Sequence, residues 1–261
     1  MGDRAYALVD AETGKVVSAK SVRLFSGVLG CSATFVEPPR AAVEPPPVRI
    51  ELPDGTAVTS DDGNADRMLS AYFGRDVMLA RAAPEDFTID QYHPDLEDLD
   101  PAGYRDTVVE QKLGSALFAQ IGAPSPVPVG AFFDVFPVSV MTTSALERLG
   151  ELAPRSRFDQ RRFRMNVIVG TAQAGFVENE WVGRELAIGD SVRLGVVMPD
   201  PRCVMTTLAQ DELPEDVDVL RTLTRHNRVQ VGPAGLFPCA GAYAVVGAPG
   251  TVRTGDRVVL G

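Results

Sequence analysis

One of the three cysteines in this sequence follows an arginine directly, at Arg202 and Cys203, where a β-prone run begins. A thiolate is a good nucleophile and a good ligand for a soft or high-valent metal, and a guanidinium beside a thiol favours the thiolate form. The alternative is that Cys203 packs as a small apolar residue, which is the common fate of free cysteine. The local sequence leaves both interpretations open for Cys203, whereas Cys31 and Cys239 are predicted to be packing residues.

Two polar side chains upstream of this cysteine could bind an anion. Arg164 and Asn166 are two residues apart in the run 163–169, which we predict to be a strand, so both would point to one face. A guanidinium beside a carboxamide could hold an anionic ligand rich in heteroatoms. Equally, the two side chains could satisfy the strand edge or each other.

The same segment contains an arginine island of five residues with few acids between them: Arg155, Arg157, Arg161, Arg162 and Arg164. On an acidic protein such an island is either a surface face paired with nearby carboxylates or one wall of a site for a small anion. The sequence leaves these two alternatives open.

Sites that depend on histidine are restricted, because the chain has only two histidines, His93 and His226. We therefore expect no classical zinc site and no Ser-His-Asp triad. His93 lies in a loose loop and is predicted to be a surface residue, while His226 ends a predicted helix and complements its dipole. No glycine-rich phosphate loop follows a predicted strand, so we expect no nucleotide site of that kind, and we expect no pyridoxal phosphate.

Composition restricts the class of partner. The 261 residues are 45% hydrophobic and 23% charged, and the formal net charge is −10, which argues against nucleic acid or an anionic membrane as the main ligand. Separated cysteines without C-x-x-C spacing fit a reducing compartment. No apolar run is long enough for a signal peptide or a membrane helix. We therefore expect a cytoplasmic protein.

The elements that position these residues are mostly short strands. Strands are predicted at 4–10, 15–20, within 22–36, and at 48–52, 56–59, 77–80, 138–142, 163–169, 186–198, 203–208, 242–246 and 252–260. Helices are predicted at 64–73, from 143 to about 150 with a capping box formed by Ser144 and Glu147, and at 212–227. The five prolines of 37–47 predict a loop or an extended edge, and 84–126 looks like a loose domain seam.

The fold class is therefore mainly β with a few helices (α+β). The second half is predicted to be a barrel-like domain. We divide the chain into domains at 1–92 and 93–261.

Four ordered motifs resemble a known family: RRFRMNVIV at 161–169, EWVGRELAIG at 180–189, RCVMTT at 202–207 and APGTVRTGD at 248–256. Together they resemble a MOSC domain. The first half, with DRAYALVD at 3–10, Gly14 and SAK at 18–20, resembles the N-terminal β-barrel domain that accompanies MOSC in the mitochondrial amidoxime-reducing component and its bacterial relatives. The resemblance covers nearly the whole chain.

The resemblance implies a set of site residues. The cysteine of the R-C motif ligates molybdenum in a pterin cofactor, which implies Cys203 as metal ligand and catalytic residue, with Arg202 beside it at the cofactor. The F-R-x-N arginine and asparagine imply Arg164 and Asn166 as cofactor contacts. The early D-R motif implies Arg4, and an aspartate near the pterin implies Asp134.

The chain also departs from the family pattern. Met165 replaces the proline of F-R-P-N, and Pro201 stands where a serine often precedes the R-C motif. In the family a further strand, with a lysine and small polar residues that help hold the cofactor, precedes the D-R motif. We expect this strand to be absent, because the sequence starts at Met1.

The leading hypothesis is a molybdenum-cofactor-binding oxidoreductase that reduces small N-hydroxylated or N-oxide-type substrates. Its electrons would come from a separate donor protein, because no haem, flavin or iron–sulfur motif is visible. The alternative keeps the fold without molybdopterin and uses Cys203 as a sulfur carrier or nucleophile in a biosynthetic pathway. A third possibility is a binding protein without turnover.

Overall fold

Short strands joined by turns make up most of the regular structure in a computed structural model, which describes residues 2–40 and 43–261. The chain forms two compact units, which we describe separately. The first unit runs to Tyr92 and includes Val108–Val135, and the second unit comprises His93–Thr107 and Phe136–Gly261. The division into domains at residue 92 stays a prediction. In the part of the chain described, no helix is both long enough and apolar enough to cross a membrane.

The first unit contains three small sheets and two helices. Its strands are β1 (Ala7–Asp10), β2 (Ser32–Phe35), β3 (Val48–Glu51), β4 (Ala57–Thr59), β5 (Val77–Ala80), β6 (Thr88–His93) and β7 (Thr107–Lys112), and its helices are α1 (Ala65–Phe73) and α2 (Gly114–Gln120). Strand β1 pairs with β5, β2, β3 and β4 form a three-stranded sheet, and β6 pairs with β7. His93 and Thr107, at the ends of β6 and β7, belong to the second unit.

The local signals of this unit predicted several elements correctly. The hairpin predicted around Gly55 is confirmed, since Leu52 donates its amide to the carbonyl of Thr56 at 2.8 Å and Gly55 has a φ of +85°. The helix predicted at 64–73 is confirmed as α1, and it ends at Gly74 with a φ of +64°. Asn64 occupies the N-cap position, but its side chain makes no capping hydrogen bond.

The strand predicted at 15–20 is wrong, since only Val16 forms a β-bridge, with Val9. The amide of Lys20 donates to Ser18 Oγ at 3.2 Å, and this local turn ends the extended chain. Of the run 22–36, only β2 is a strand.

The loose pattern predicted for 84–126 is wrong, because this stretch contains β6, β7 and α2. The chain passes between the two units after Tyr92 and after Thr107, inside this range, and the domain seam stays a prediction. The sequences of β6 (TIDQYH) and β7 (TVVEQK) are mostly polar. They show neither an apolar run nor a strict apolar–polar alternation, so neither strand is recognisable from its sequence. The proline-rich segment 37–47 contains no helix or strand in its described part, and residues 41 and 42 lie outside the described residues.

The second unit is organised around one large sheet. Its strands are β8 (Val138–Thr142), β9 (Val167–Val169), β10 (Glu185–Ile188), β11 (Val192–Pro201), β12 (Arg228–Val231), β13 (Gly235–Ala248) and β14 (Val258–Leu260), and its helices are α3 (Thr143–Leu152) and α4 (Asp218–His226). The strand order is β14-β10-β11-β13-β8-β9, and β12 also pairs with β13. The sheet is nearly closed and barrel-like. The predicted fold class, mainly β with a few helices, is therefore confirmed.

All pairs in this sheet are antiparallel except β8 and β9. One apolar cluster fills the sheet interior around Leu186, Ile188 and Ala242, each 1% exposed or less. A second cluster joins α3, α4 and the sheet through Leu149 and Val219. The sheet therefore has packed side chains on both faces, and the segments that leave its strand ends carry the candidate site.

Two predicted strands next to the site differ from the prediction, and each adjoins or contains a 3-10 helix. Residues Gln160–Phe163 form a 3-10 helix that is capped by Asp159, whose carboxylate accepts from the amide of Arg161, and only β9 remains of the strand 163–169. Residues Val204–Thr207 form another 3-10 helix in place of the strand 203–208. Two threonines favoured a strand by propensity, but their hydroxyls bond to carbonyls three residues earlier, which stabilises a turn.

Helix boundaries in this unit also differ from the prediction. The helix predicted at 212–227 begins only at Asp218, and of the strand 252–260 only β14 forms. The capping box of Ser144 and Glu147 is wrong: Thr142 caps α3 by accepting from the amide of Ala145, while Ser144 donates to the carbonyl of Gly175.

A buried carboxyl group joins three elements of this unit. Glu178 is fully buried, its Oε2 accepts from Thr142 Oγ1 at 2.7 Å, and its Oε1 accepts from the amide of Gly241 at 3.2 Å. Burial raises the pKa of Glu178, because desolvation penalises the carboxylate more than these hydrogen bonds favour it.

Gly241 bends the long strand β13 and has a φ of +85°. A Cβ atom at this position would lie 2.6 Å from the carbonyl oxygen of Val140 and 2.4 Å from Met165 Cε. We predict that Gly241→Ala lowers the free energy of unfolding by about 3 kcal/mol, through left-handed strain and overpacking. Urea unfolding followed by the fluorescence of Trp181, the single tryptophan, measures this change.

The matched control is Gly150→Ala in α3, where an added Cβ meets no atom within 4 Å. It should raise the free energy of unfolding by up to about 1 kcal/mol, because alanine is the better helix former. Equal stability of the Gly241→Ala variant and the wild type would contradict the close approach at β13.

The raised pKa of Glu178 makes stability depend on pH. The carboxyl is protonated in both folded and unfolded states below its unfolded pKa of about 4.3, so stability decreases as the pH rises from there through the folded pKa. We predict that Glu178→Gln gains at least about 1 kcal/mol over the wild type between pH 5 and pH 7.5. Urea titrations at both pH values measure the gain. The exposed Glu180→Gln should show no such trend, and a pH-independent difference for Glu178→Gln would contradict the argument.

Candidate functional site

Cys203 lies just beyond the end of β11, in extended backbone before the 3-10 helix Val204–Thr207. Its carbonyl accepts from the amide of Thr206 at 3.2 Å and from Thr206 Oγ1 at 3.0 Å. The preceding amide, of Arg202, donates to the carbonyl of Pro238 at 2.8 Å. Backbone bonds on both sides therefore fix the position of the cysteine.

The three thiols have different surroundings. Cys239 is fully buried and donates to the carbonyl of Phe237 at 3.3 Å, and burial raises its pKa to about 12. Cys31 is half-buried and donates to the carbonyl of Gly27 at 3.7 Å, and burial raises its pKa as well. Cys203 is half-buried, and its sulfur makes no hydrogen bond within the described part of the chain. It is therefore the thiol best placed to bind a metal or to react.

Arg202 does not present its guanidinium to a ligand. Its side chain is 7% exposed, Nη1 donates to Asp200 Oδ2 at 2.5 Å, and Nη2 donates to the carbonyl of Phe163 at 2.6 Å. The guanidinium also lies over the ring of Phe163, 5.7 Å from its centroid. The geometry therefore gives Arg202 a structural task and does not favour the predicted cofactor contact.

Arg164 follows the residue that Arg202 binds. It is exposed, its backbone is left-handed with a φ of +52°, and its amide donates to the carbonyl of Arg161 at 3.3 Å. The predicted strand at this position is wrong, so Arg164 and Asn166 do not share a strand face. A left-handed conformation is unfavourable for a residue with a long side chain and is common at functional positions.

Asn166 is exposed and is anchored to β8. Its Oδ1 accepts from the amide of Ser139 at 2.9 Å and from Ser139 Oγ at 3.1 Å, and its own amide donates to the carbonyl of Ser139 at 3.2 Å. Since these bonds use the oxygen of the carboxamide, its NH₂ group is directed away from Ser139. The carboxamide of Asn166 is therefore held in a fixed orientation against β8.

The sequence did not identify the role of Arg162, which is 1% exposed. Its Nη2 donates to the carbonyl of Pro214 at 2.7 Å, and its Nη1 donates to the carbonyl of Leu208 at 3.1 Å and to that of Thr206 at 3.4 Å. Its Nε donates to the carbonyl of Arg157 at 3.0 Å. Burial lowers the pKa of Arg162. The island arginine with the most buried guanidinium thus binds backbone carbonyls and no carboxylate in the described chain.

The outer part of the arginine island is a charged surface. Arg161 pairs with Asp159 at 2.9 Å and with Glu212 at 2.6 Å, and Arg157 contacts both acids at 3.4 Å. Hydrogen bonds from Arg161 lower the pKa of Asp159 below its usual range and that of Glu212 to about 2. Of the two alternatives left open by the sequence, pairing with carboxylates is confirmed for Arg157 and Arg161.

The first unit contains the remaining predicted site residues. Arg4 is half-buried, has a φ of +57°, and accepts a hydrogen bond at its carbonyl from the amide of Phe132 at 2.8 Å. Asp134 is half-buried, and its Oδ2 lies 2.6 Å from Lys20 Nζ. Lys20 is buried, and no sequence argument singled it out. The ion pair of Lys20 with Asp134 could have been predicted from the SAK segment only if Asp134 had been known to lie beside it.

Arg4 and Arg164 share one unusual backbone property. The non-glycine residues with positive φ in the described chain are these two arginines and three aspartates, Asp98, Asp106 and Asp211. Aspartate tolerates this conformation through local hydrogen bonds, whereas arginine has no such compensation. Within each unit, a predicted site arginine is therefore held in a conformation that its residue type disfavours.

His93 is not the surface residue that the sequence predicted. It is the last residue of β6, is 2% exposed, and packs against Tyr104 with ring centroids 5.3 Å apart. Its Nδ1 lies 3.9 Å from Asp100 Oδ2. The loop prediction failed because β6 itself was not recognised.

In the described residues no group of three or more histidine, cysteine, aspartate and glutamate side chains could hold a metal ion.

Comparisons with known proteins agree with these motifs. A family model described as MOSC domain matches residues 129–259. The chain is similar to Mitochondrial amidoxime-reducing component 1 of Mus musculus, with 31% identity over 134 residues, and to that of Homo sapiens, with 28% identity over 134 residues. It is also 31% identical over 132 residues to Mitochondrial amidoxime reducing component 2 of Homo sapiens. Each match covers about half of this chain (49–50%) and 38% of the relative.

We predict that Cys203 in the native protein reacts with iodoacetamide at pH 7.5 at least about tenfold faster than Cys239. Cys203 is only half-buried, whereas Cys239 is fully buried and burial raises the pKa of its thiol. Peptide mass spectrometry over a time course measures each rate. In concentrated urea all three cysteines should react alike, which is the control. Equal rates for Cys203 and Cys239 in the folded protein would contradict the assignment.

Proposed function

The chain belongs to the MOSC domain family, and on this premise we propose that it is a molybdenum-cofactor-binding oxidoreductase that reduces N-hydroxylated or N-oxide-type substrates. The main support is Cys203, a half-buried thiol without a hydrogen-bond partner in the described chain, flanked by backbone bonds in the R-C motif. A thiolate suits a high-valent metal, and a metal that has only this protein ligand can be held by the sulfur atoms of an organic cofactor as well.

The residues around Cys203 fit an anionic pterin. Arg164 supplies a guanidinium fork for a phosphate group, and Asn166 supplies amide donors whose orientation Ser139 fixes. Arg4 and Asp134 are proposed as further cofactor contacts, with the Asp134 carboxylate paired with Lys20 at 2.6 Å. When bound, the molybdenum centre supplies the two-electron chemistry of the reduction. Arg202 is not proposed as a direct contact, because its side chain is 7% exposed and its Nη1 and Nη2 donate to Asp200 and to the carbonyl of Phe163.

The partners follow from this chemistry. The substrate is a small molecule with an oxygen on nitrogen, as the names of the relatives indicate for those proteins. We propose that a separate protein donates the electrons. We also propose the cytoplasm as the compartment, because the separated cysteines fit reducing conditions.

The same thiol also supports a second candidate function. Without molybdopterin, the Cys203 thiolate could take the outer sulfur of a donor persulfide, which breaks the donor S–S bond and releases the donor as a thiolate. It could also attack an electrophilic substrate, since it has no protein partner to displace in the described chain. Fast persulfide exchange at Cys203 in protein that takes up no molybdenum would favour this function over the first.

We predict that the protein, produced in a host that synthesises molybdenum cofactor, contains close to one molybdenum per chain, and that Cys203→Ser retains about a tenth of it or less. Inductively coupled plasma mass spectrometry measures the metal, and fluorescence of the oxidised pterin measures the organic part. Reduction of an aryl amidoxime by a chemically reduced viologen dye should be lost in Cys203→Ser.

Cys31→Ser is the matched control, and it should retain metal, pterin and activity. Thermal unfolding shows whether each variant is folded. Wild-type protein without molybdenum and pterin would overturn the proposed function.

A further inference from the structure

Two buried arginines connect the segment of Cys203 with the segment of Arg164, and each reaches from its own segment into the other. Arg202 stands beside the cysteine and binds the carbonyl of Phe163, whereas Arg162 lies two residues before Arg164 and binds the carbonyls of Thr206 and Leu208. We call Arg162 and Arg202, with these carbonyl acceptors, the arginine frame.

The bond from Arg202 fixes the peptide group between Phe163 and Arg164. The carbonyl of Phe163 belongs to that peptide, so the 2.6 Å bond limits its rotation and holds Arg164 in its left-handed conformation. Asp200 holds the guanidinium from the other side, and both Asp200 and Arg202 are almost completely buried. The exposed guanidinium of Arg164 is thus oriented through its backbone.

The hydrogen bonds from Arg162 fix the backbone of the segment that follows Cys203. Thr206 and Leu208 lie at the end of the 3-10 helix that Cys203 begins, and Pro214 lies further along the same loop. A guanidinium reaches all three carbonyls because its donors spread in a plane, and the compact ammonium of lysine lacks that spread. Arg162 therefore links the helix after Cys203 to the 3-10 helix before Arg164.

We propose that Arg162 and Arg202 are positioning residues that hold Cys203 and Arg164 in one arrangement before any cofactor binds. That this arrangement receives a cofactor rests on the proposed function above. The frame itself is a property of the protein alone. Its residues act through backbone carbonyls and touch neither a substrate nor a metal.

Hydrogen exchange on cofactor-free protein tests the frame directly. In R162K and in R202K, amides of the peptide 203–208 should exchange at least about tenfold faster than in the wild type. R162K removes the donor to the carbonyls of Thr206 and Leu208, and R202K removes the bond that ties the residue before Cys203 to Phe163. Peptides from β10 should keep the wild-type rate. R155K, in the same island but with an exposed arginine, should change neither region.

A second control separates positioning from loss of global stability. Ile188→Val removes one methylene from the sheet interior, so it lowers the unfolding midpoint without touching the frame. It should leave the exchange of 203–208 at the wild-type rate. If R162K and R202K also leave that exchange unchanged, or if Ile188→Val accelerates it equally, the positioning role is overturned.

Metal content then distinguishes the two proposals. R162K and R202K should retain at most about a tenth of the wild-type molybdenum after expression with the cofactor, while R155K retains all of it. If the wild type binds no molybdenum, the proposed function is overturned. If exchange at 203–208 is still faster in the frame variants of that protein, the frame is supported. Full molybdenum content in both frame variants overturns the positioning role and leaves the proposed function standing.

Discussion

The second unit depends on the rule that a buried guanidinium must have its donors bonded, because an unpaired buried charge is far more costly than an unpaired neutral group. Arg162 meets this rule at all three nitrogens, mainly with carbonyls 44 to 52 residues away in the chain. Arg202 meets it in part: Nη2 donates to the carbonyl of Phe163, 39 residues away, and Nη1 donates to Asp200, while Nε has no partner in the described chain. These long-range bonds form only when the segments of Cys203 and Arg164 are in contact. The requirement for hydrogen bonds therefore determines the arrangement of the two loops.

The exposed ion pairs around Arg161 and Glu212 connect the same two segments but contribute much less. Pairs at the surface are worth about 0–1 kcal/mol each, because water screens them and ordering long side chains opposes them. Hydrogen bonds to a buried charged group are worth about 1.5–3 kcal/mol each. The buried arginines thus dominate the contact, and the outer pairs add solubility and local order. Acidification through the low pKa of Glu212 affects only this outer layer.

The sequence predicted elements whose signals are local. The helix α1 and the strands β3, β4, β5 and β8 follow from turn residues, caps and apolar periodicity within a few positions. It failed where side chains choose distant partners. The hydroxyls of Thr206 and Thr207 bond within a 3-10 helix, although β-branched residues favour a strand. Arg202 was interpreted from its neighbour Cys203, whereas its partners are Asp200 and Phe163.

The candidate site was predicted as a set of residues but not as a geometry. Arg164 and Asn166 were identified, yet their predicted common strand face does not exist, because a left-handed residue precedes β9. His93 was placed in a loop because β6 is mostly polar and lacks both an apolar run and an apolar–polar alternation. Lys20 could not be found, since its partner Asp134 lies more than a hundred residues away. The four ordered motifs predicted site residues that local sequence patterns did not identify.

The parallel pairing of β8 and β9 has a consequence for the order of folding. Parallel neighbours need a crossover connection, and here the contact of Ser139 with Asn166 closes 27 residues that include α3. Such long-range pairings form late, since the loss of chain entropy precedes the contacts that compensate it. On a ribosome, Arg164 emerges well before Cys203 and β13. Any ligand of this site therefore has to be loaded onto the completed unit, and a partly synthesised chain offers nothing for it to bind.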